Sequence, residues 1–251
     1  MYQDILFSQA NGIAKITFNR PSALNALSPN LLKELLEATQ QVSKDDSIKV
    51  MVVTGEGRAW SAGVDLKALN ESIQGGHFSN FEVMEIGKLF IETLQTMPQV
   101  TIAQVNGFCY TGATEFMLAF DLVYAADEAK IGDTHAKWGI APKWGMTQRL
   151  QQKVGLMKAM ELSFTTETVT GKEAERIGLV NKSVPLEELV AYVNAVAEKI
   201  KGNSAQTIAA MKSLYYFGAT HGIAKGLENE WNANIRITDR EEFLRNFSKN
   251  K

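Results

Sequence analysis

The sequence predicts an α/β fold, because strand-like and helix-like segments alternate through its first half. Residues 12–19 and 48–55 are rich in β-branched side chains and end in turn-forming residues, as strands do. Between them, residues 27–46 carry leucines at helical spacing, with Ser28 as a suitable N-cap and Pro29 at the first helical position. This alternation favours crossover connections and a largely parallel sheet.

The same alternation continues for one more round and then gives way to helices. We expect a helix over 82–96, a strand near 99–107, a short helix from about Ala113 and a strand over 121–127. From about residue 146 the strand signals become sparse. The later helical patterns cover 147–163, 186–201, 204–217, 221–236 and the tail from 239. We therefore predict an α/β core over residues 1–195 and a helical region over residues 196–251.

Composition excludes several functional classes. The chain has 251 residues and a formal net charge of −2, which gives no electrostatic footprint for nucleic acid. No apolar run approaches the roughly 20 residues of a membrane helix. The single cysteine, Cys109, excludes an internal disulfide framework. Without a basic and apolar leader at the N-terminus, we expect a cytoplasmic protein.

Histidines and tryptophans give weak signals. His77, His135 and His221 do not have the spacing of metal ligands, so no metal site is predicted. Trp138, Trp144 and Trp231 are each expected to serve packing.

Two loops that follow strands are expected to hold the chemistry. One runs over residues 55–69, and the other leads from the strand near 99–107 to Gly112 at the start of a helix. Ligands of α/β sheets bind beyond the carboxyl ends of strands, and a helix N-terminus offers free N–H groups. Two N–H groups from such loops can converge on one oxygen as an oxyanion hole, although each loop taken alone also suits a simple tight turn.

Glu115 stands at the front of the apolar run 116–120, where an ionised carboxylate needs a partner. It lies about one helical turn after Gly112, beside whatever that N–H group holds. This position suits a general acid or base. The structural alternative is a glutamate that satisfies free N–H groups in the first turn of its own helix.

Four segments together resemble the crotonase, or enoyl-CoA hydratase/isomerase, superfamily. They are "NRPSALNALS" (19–28), "WSAGVDLKAL" (60–69), "QVNGFCYTGATEF" (104–116) and "GIAPKWGMTQRLQQKVG" (139–155). The resemblance implies a β-β-α spiral core with a C-terminal helical trimerisation region. It further implies trimers or dimers of trimers, and acyl-CoA substrates with no cofactor beyond coenzyme A in the thioester.

The resemblance also assigns site residues. By motif position, the backbone N–H groups of Val64 and Gly112 form the oxyanion hole for a thioester enolate, and Glu115 is the general acid/base. The family's adenine cradle corresponds to Ala23, Leu24, Ala62, Asp65 and Leu66. Residues 70–87 should line the acyl pocket. Lys249 and Lys251 are loose candidates for contact with the CoA phosphates.

One departure from the family pattern leaves the reaction open. Typical hydratases carry a second glutamate where this chain has His135, which can also exchange protons near neutral pH. The structural alternative is a histidine that only forms hydrogen bonds within its loop. The primary prediction is therefore an acyl-CoA lyase or isomerase that uses Glu115 and His135. A histidine here also resembles β-diketone hydrolases, but Lys143 and Trp144 stand where those enzymes have an acid. A third alternative is a non-catalytic binder of CoA esters.

Overall fold

The computed structural model describes residues 2–76 and 79–249, so His77 lies outside the described residues. Within these ranges, ten strands form two sheets. In chain order the strands are β1 Ile5–Ala10, β2 Ile13–Phe18, β3 Val50–Gly55, β4 Ala59–Ser61, β5 Val100–Val105, β6 Phe108–Tyr110, β7 Leu122–Ala126, β8 Lys130–Gly132, β9 Thr168–Thr170 and β10 Lys182–Val184.

Twelve helices accompany these strands in the described part of the chain. They are α1 Pro29–Ser43, α2 Leu66–Gln74, α3 Asn80–Thr96, α4 Gly112–Met117, α5 His135–Trp138, α6 Met146–Val154, α7 Leu156–Thr165, α8 Gly171–Arg176, α9 Leu186–Lys201, α10 Ala205–His221, α11 Ile223–Asn232 and α12 Arg240–Lys249. None of the helices described is both long and apolar enough to cross a membrane.

The chain passes repeatedly from a large sheet to a small one. The large sheet has the order β1-β2-β3-β5-β7-β10 and is parallel except for the β1–β2 pair, whereas the small sheet has the order β4-β6-β8-β9. Each of β3, β5 and β7 is followed directly by a short strand of the small sheet and then by helix. This is the expected β-β-α spiral, and the predicted fold class is confirmed.

Parallel pairing within the small sheet positions the site. Ser61 on β4 pairs with Cys109 on β6, and Tyr110 on β6 pairs with Gly132 on β8. All three strands run in the same direction, so the segments that follow them leave from one edge of the sheet. These segments begin with Ala62, Thr111 and Asp133, and they carry most of the predicted site.

The C-terminal helices are fastened to the core through buried polar groups. On α10, the ammonium of Lys212 donates to the carbonyls of Leu94 (2.7 Å) and Gln99 (2.9 Å) and pairs with Asp121 at 2.8 Å. The hydroxyl of Tyr216, one turn further, donates to the other oxygen of Asp121 at 3.0 Å. The boundary placed at residue 195 falls inside α9.

Most predicted helices are present. Ser28 caps α1 through a hydrogen bond that Leu31 N–H donates to its hydroxyl. The predicted helix 147–163 is broken in two at Gly155, which has a φ of +80° and separates α6 from α7. The short strands of the small sheet were not predicted, nor were β1 and β10.

Candidate active site

The loops after β4 and β6 lie against each other. Gly63 has a φ of +93°, and a Cβ added there would lie 2.8 Å from the Tyr110 carbonyl oxygen and 3.5 Å from the Gly112 nitrogen. A Cβ added at Gly112 would lie 3.3 Å from Cγ2 of Val64. Only glycine permits so close an approach of the two backbones. The structure therefore brings the predicted oxyanion donors, Val64 and Gly112, side by side.

Neighbouring groups hold these loops without using the two N–H groups. Leu27 N–H donates to the Gly63 carbonyl (2.8 Å), and Asp65 N–H donates to the Leu27 carbonyl (3.1 Å). Among the hydrogen bonds found between described residues, none has the N–H of Val64 or Gly112 as its donor. Gly112 begins α4, whose first N–H groups have no acceptor within the helix. Both N–H groups are thus available to an oxygen of a ligand.

Thr111 carries backbone strain at this point. Its φ is +55° with a ψ of −117°, outside the regions that a threonine normally adopts. Its hydroxyl shares a hydrogen bond with that of Thr134, on the segment after β8. Strained residues of this kind cost about 1–3 kcal/mol and cluster at functional sites. Here the strain turns the chain from β6 into α4 at Gly112.

Glu115 is nearly sealed, with 2% of its surface exposed. Its Oε1 accepts hydrogen bonds from the backbone N–H groups of Trp144 (2.8 Å) and Met146 (3.1 Å). Its Oε2 faces Nε2 of His135 at 3.4 Å. The carboxylate therefore does not satisfy the first turn of its own helix, as the structural alternative required. It spans from α4 to the segments around α5 and α6.

His135 is the first residue of α5 and is also buried, at 6% exposure. Its Nδ1 lies 2.6 Å from Oδ1 of Asp133, which also accepts the backbone N–H of His135 at 3.1 Å. The other oxygen of Asp133 accepts the Ser163 hydroxyl from α7 at 2.7 Å. The four side chains form one continuous row, which we call the acid–imidazole row: Glu115, His135, Asp133 and Ser163.

The acid–imidazole row favours a protonated histidine. Burial opposes the imidazolium charge, but hydrogen bonds and charge attraction from Asp133 and Glu115 outweigh it and raise the pKa of His135 to about 9. Burial likewise opposes the charge of Asp133, yet bonds from His135 and Ser163 hold the pKa of that carboxyl below its ordinary value. At neutral pH an imidazolium therefore lies between two carboxyl groups.

Asp133 and Ser163 were missed in the sequence. An acid two residues before a histidine, in "DTH", was a usable signal for Asp133. Ser163 had none, because it reaches the site from a helix that lies 30 residues away along the chain.

The predicted adenine-binding residues are also brought together. Leu24 has a φ of +51°, and its carbonyl accepts Ala62 N–H at 3.0 Å, which joins residues 23–24 to residues 62–66. The carboxylate of Asp65 already has two structural partners, since it accepts from Arg20 (2.9 Å) and from the Ala68 N–H of α2 (2.9 Å). Leu66 is exposed.

Lys249 and Lys251 were loose candidates for contact with the CoA phosphates. The side chain of Lys249 is not described, and Lys251 lies outside the described residues.

A separate cavity of about 750 Å³ lies between α6 and α10. It is lined by residues such as Arg149 and Tyr216, not by Glu115 or His135.

Comparison with known proteins gives consistent matches. Residues 8–245 match the family model described as "Enoyl-CoA hydratase/isomerase". A probable peroxisomal enoyl-CoA hydratase of Arabidopsis thaliana is 34% identical over 82% of this chain and 76% of its own length. A crotonyl-CoA hydratase of Syntrophomonas wolfei is 34% identical over 79% and 76%. The crystal structure of an enoyl-CoA hydratase from Bacillus anthracis aligns with a TM-score of 0.90, at 31% identity, over 99% of this chain and 97% of the other.

Replacing Asp133 by asparagine tests the acid–imidazole row. The variant keeps the shape of the side chain but removes its charge, so the pKa of His135 should fall from about 9 towards its ordinary value. NMR titration of histidine-labelled protein measures this, with His135→Gln used to assign the signal. Asp127→Asn, which alters an acid paired with Lys172, is the matched control and should leave the midpoint in place. An unchanged midpoint in Asp133→Asn contradicts the assignment.

Proposed function

Since the chain belongs to the enoyl-CoA hydratase/isomerase family, we propose that it adds water across the double bond of an enoyl thioester of coenzyme A. The observation that supports this most is the 3.4 Å contact between Glu115 Oε2 and His135 Nε2, with Asp133 behind the imidazole. It supplies one proton acceptor and one proton donor at the same point, beside two unused N–H groups. Coenzyme A enters as part of the substrate, and the reaction needs no other cofactor.

The N–H groups of Val64 and Gly112 polarise the substrate. In this proposal they both donate to the thioester oxygen, which gains negative charge as the enolate forms. Backbone donors fixed in advance stabilise such charge strongly, because they do not need to reorganise during the reaction. Removing one donor from an oxyanion hole typically costs about 10²–10³-fold in rate.

Glu115 and His135 then act at the two carbons of the double bond, Glu115 through the water that attacks Cβ and His135 at Cα. Glu115 takes a proton from the water as its oxygen bonds to Cβ, and the electron pair of the double bond moves towards the thioester oxygen. His135 gives the Nε2 proton to Cα, and the carbonyl is restored. The product is the 3-hydroxyacyl thioester, with one water molecule added and no other change in balance.

The direct contact also explains how the site resets. After turnover Glu115 holds a proton and His135 is neutral. Because Oε2 and Nε2 lie 3.4 Å apart, the proton can return to the imidazole without leaving the site. Asp133 keeps Nδ1 protonated and so directs the exchange to Nε2.

Double-bond isomerisation fits the site less well. Moving one proton along an acyl chain needs a single acid/base group beside an oxyanion hole, as Glu115 alone provides. A histidine held in its charged form by a dedicated carboxylate has no part in that reaction, whereas hydration uses it as the acid.

A β-diketone hydrolase is the second candidate, because the structure does supply an acid for His135. Asp133 supplies the acidic partner of the histidine that Lys143 and Trp144 do not provide. Such an enzyme, however, needs a neutral histidine to activate water. The raised pKa of His135 favours the proton donor that hydration requires.

We also propose that the chain works as a trimer or a dimer of trimers. Large apolar side chains are exposed on α7, α10 and α11, among them Met157 at 87% and Trp231 at 89% exposure. Helices α10 and α11 pack on each other, and large exposed apolar patches mark interaction surfaces in proteins.

Glu115→Gln tests the general base. The amide cannot accept the proton of water, so kcat for an enoyl-CoA should fall by about 10²–10⁴-fold, while binding of a saturated acyl-CoA changes little. Steady-state kinetics and calorimetry measure the two quantities. The control is Glu198→Gln, which removes an exposed carboxylate paired with Lys201. Full turnover by Glu115→Gln on every ester that the wild type uses would refute the role. Tight binding without turnover by the wild type would support a non-catalytic binder.

The pH profile of kcat/KM tests the role of His135. Its imidazolium is present below a pKa of about 9, so activity should be lost as pH rises through about 9. Glu115 and His135 interact, so the observed limb belongs to the pair. His135→Gln should abolish that limb along with most of the activity. A rate that instead rises above pH 9 would indicate a neutral histidine acting as base, as in the β-diketone hydrolase.

Analytical ultracentrifugation tests the assembly. We expect a mass of three or six times the 27.7 kDa of one chain at micromolar concentration. Leu227→Glu on α11 should dissociate it, because a charge would be buried in the interface. Lys225→Glu, at an exposed position of the same helix, is the matched control. A monomeric wild type would contradict the proposal.

A further inference from the structure

The indole of Trp144 lies beside the predicted oxyanion donors. The residue is 5% exposed, and its backbone N–H is one of the two that hold Glu115. A Cβ added at Gly112 would lie 2.9 Å from Cζ3 of the indole, so the ring covers the face of Gly112 that has no side chain. Any group bound next to Gly112 must share this space with the indole.

Helix α3 completes the enclosure. A Cβ added at Gly87 would lie 2.4 Å from both Cε2 and Cζ2 of the indole, so the ring fits only because this position is glycine. The indole Nε1–H donates to the Met84 carbonyl at 3.0 Å, and the ring packs on Phe116 with centroids 4.8 Å apart. The indole is thus held by α3 on one side and by α4 on the other.

In the proposed complex the acyl chain would begin beside this ring, because the indole covers Gly112. With the thioester oxygen at Val64 and Gly112, the proposed proton transfers by Glu115 and His135 require Cα and Cβ to lie next to those side chains. The carbons beyond Cβ would then pass Glu115, whose Oε1 is held by the backbone N–H of Trp144 itself. Met84 and Gly87, which contact the indole, belong to the segment 70–87 that is expected to line the acyl pocket.

We propose that Trp144 closes the far end of the acyl pocket and restricts the enzyme to short acyl thioesters, such as the butenoyl ester. This inference rests on the proposed function, because it takes the substrate to be an acyl-CoA bound at the Val64–Gly112 pair. The indole ring limits the length of acyl chain that the pocket accepts, and the hydrogen bond from its Nε1–H to the Met84 carbonyl keeps the ring in place.

The test compares binding of butanoyl-CoA and decanoyl-CoA, which bind without reacting, to wild type and Trp144→Leu. We expect wild type to favour butanoyl-CoA, and the variant to shift the ratio of the two Kd values by about tenfold or more towards decanoyl-CoA, since a few methylenes in a pocket carry at least that much discrimination. Trp138→Leu, which removes an exposed tryptophan, is the matched control and should leave the ratio unchanged. Circular dichroism confirms folding. If Trp144→Leu folds poorly, Trp144→Phe replaces it, and hexanoyl-CoA should gain most.

Kinetics with the matching enoyl esters separates this inference from the proposed function. A shifted Kd ratio without turnover of any ester supports the role of Trp144 and refutes the hydratase. Turnover by a wild type that binds decanoyl-CoA as tightly as butanoyl-CoA supports the hydratase and overturns the role of Trp144. An unchanged ratio in a folded Trp144→Leu also overturns that role. If no CoA ester binds to any form, both proposals fail.

Discussion

The burial of the Glu115 carboxylate constrains the rest of the site. Burying a carboxylate at 2% exposure is costly unless the protein supplies polar partners in place of water. The backbone N–H groups of Trp144 and Met146 donate hydrogen bonds to Oε1, and His135 faces Oε2. These partners come from segments after β8, so the carboxylate fixes where the chain between β8 and α6 must run.

The imidazole has a requirement of its own. A buried cation also needs compensation, and Glu115 alone faces only one of its two nitrogens. Asp133 faces the other, and Ser163 from α7 satisfies the second oxygen of Asp133. The polar groups in the row are therefore all paired, which is what a buried network must achieve if it is not to destabilise the fold. The longest contact in the row is the 3.4 Å contact between Glu115 Oε2 and His135 Nε2, where the proposed reaction takes place.

Elements with local signals could be predicted from the sequence, and elements that depend on long-range pairing could not. Helix α1 was predictable because its leucine spacing and the Ser28 cap are local signals. Strands β4, β6 and β8 have only three residues each, too few for a periodic pattern, and they exist because Ser61 pairs with Cys109 and Tyr110 pairs with Gly132 across the fold. Their existence nevertheless explains why two loops predicted separately lie together.

The side chains of the site show the same division. Glu115 was conspicuous because it interrupts an apolar run, and His135 because it departs from a family pattern. Trp144 was expected to pack, and it does, but its partners Gly87 and Gly112 lie 57 and 32 residues away and gave no sign of it. Trp138 and Trp231 were expected to pack as well and are exposed in the single chain.

The tie between α10 and the core limits how far the protein can be treated as two modules. Asp121 also accepts the backbone N–H and the hydroxyl of Thr101, so its carboxylate belongs to the β5–β7 region as much as to α10. A chain that ends before α10 would leave this carboxylate without Lys212 and Tyr216, in a pocket built to hold a cation. An exchange of the C-terminal helices between relatives must therefore carry the acid, the lysine and the tyrosine together, because the carboxylate and the ammonium compensate each other's charge and the tyrosine hydroxyl donates to the same carboxylate.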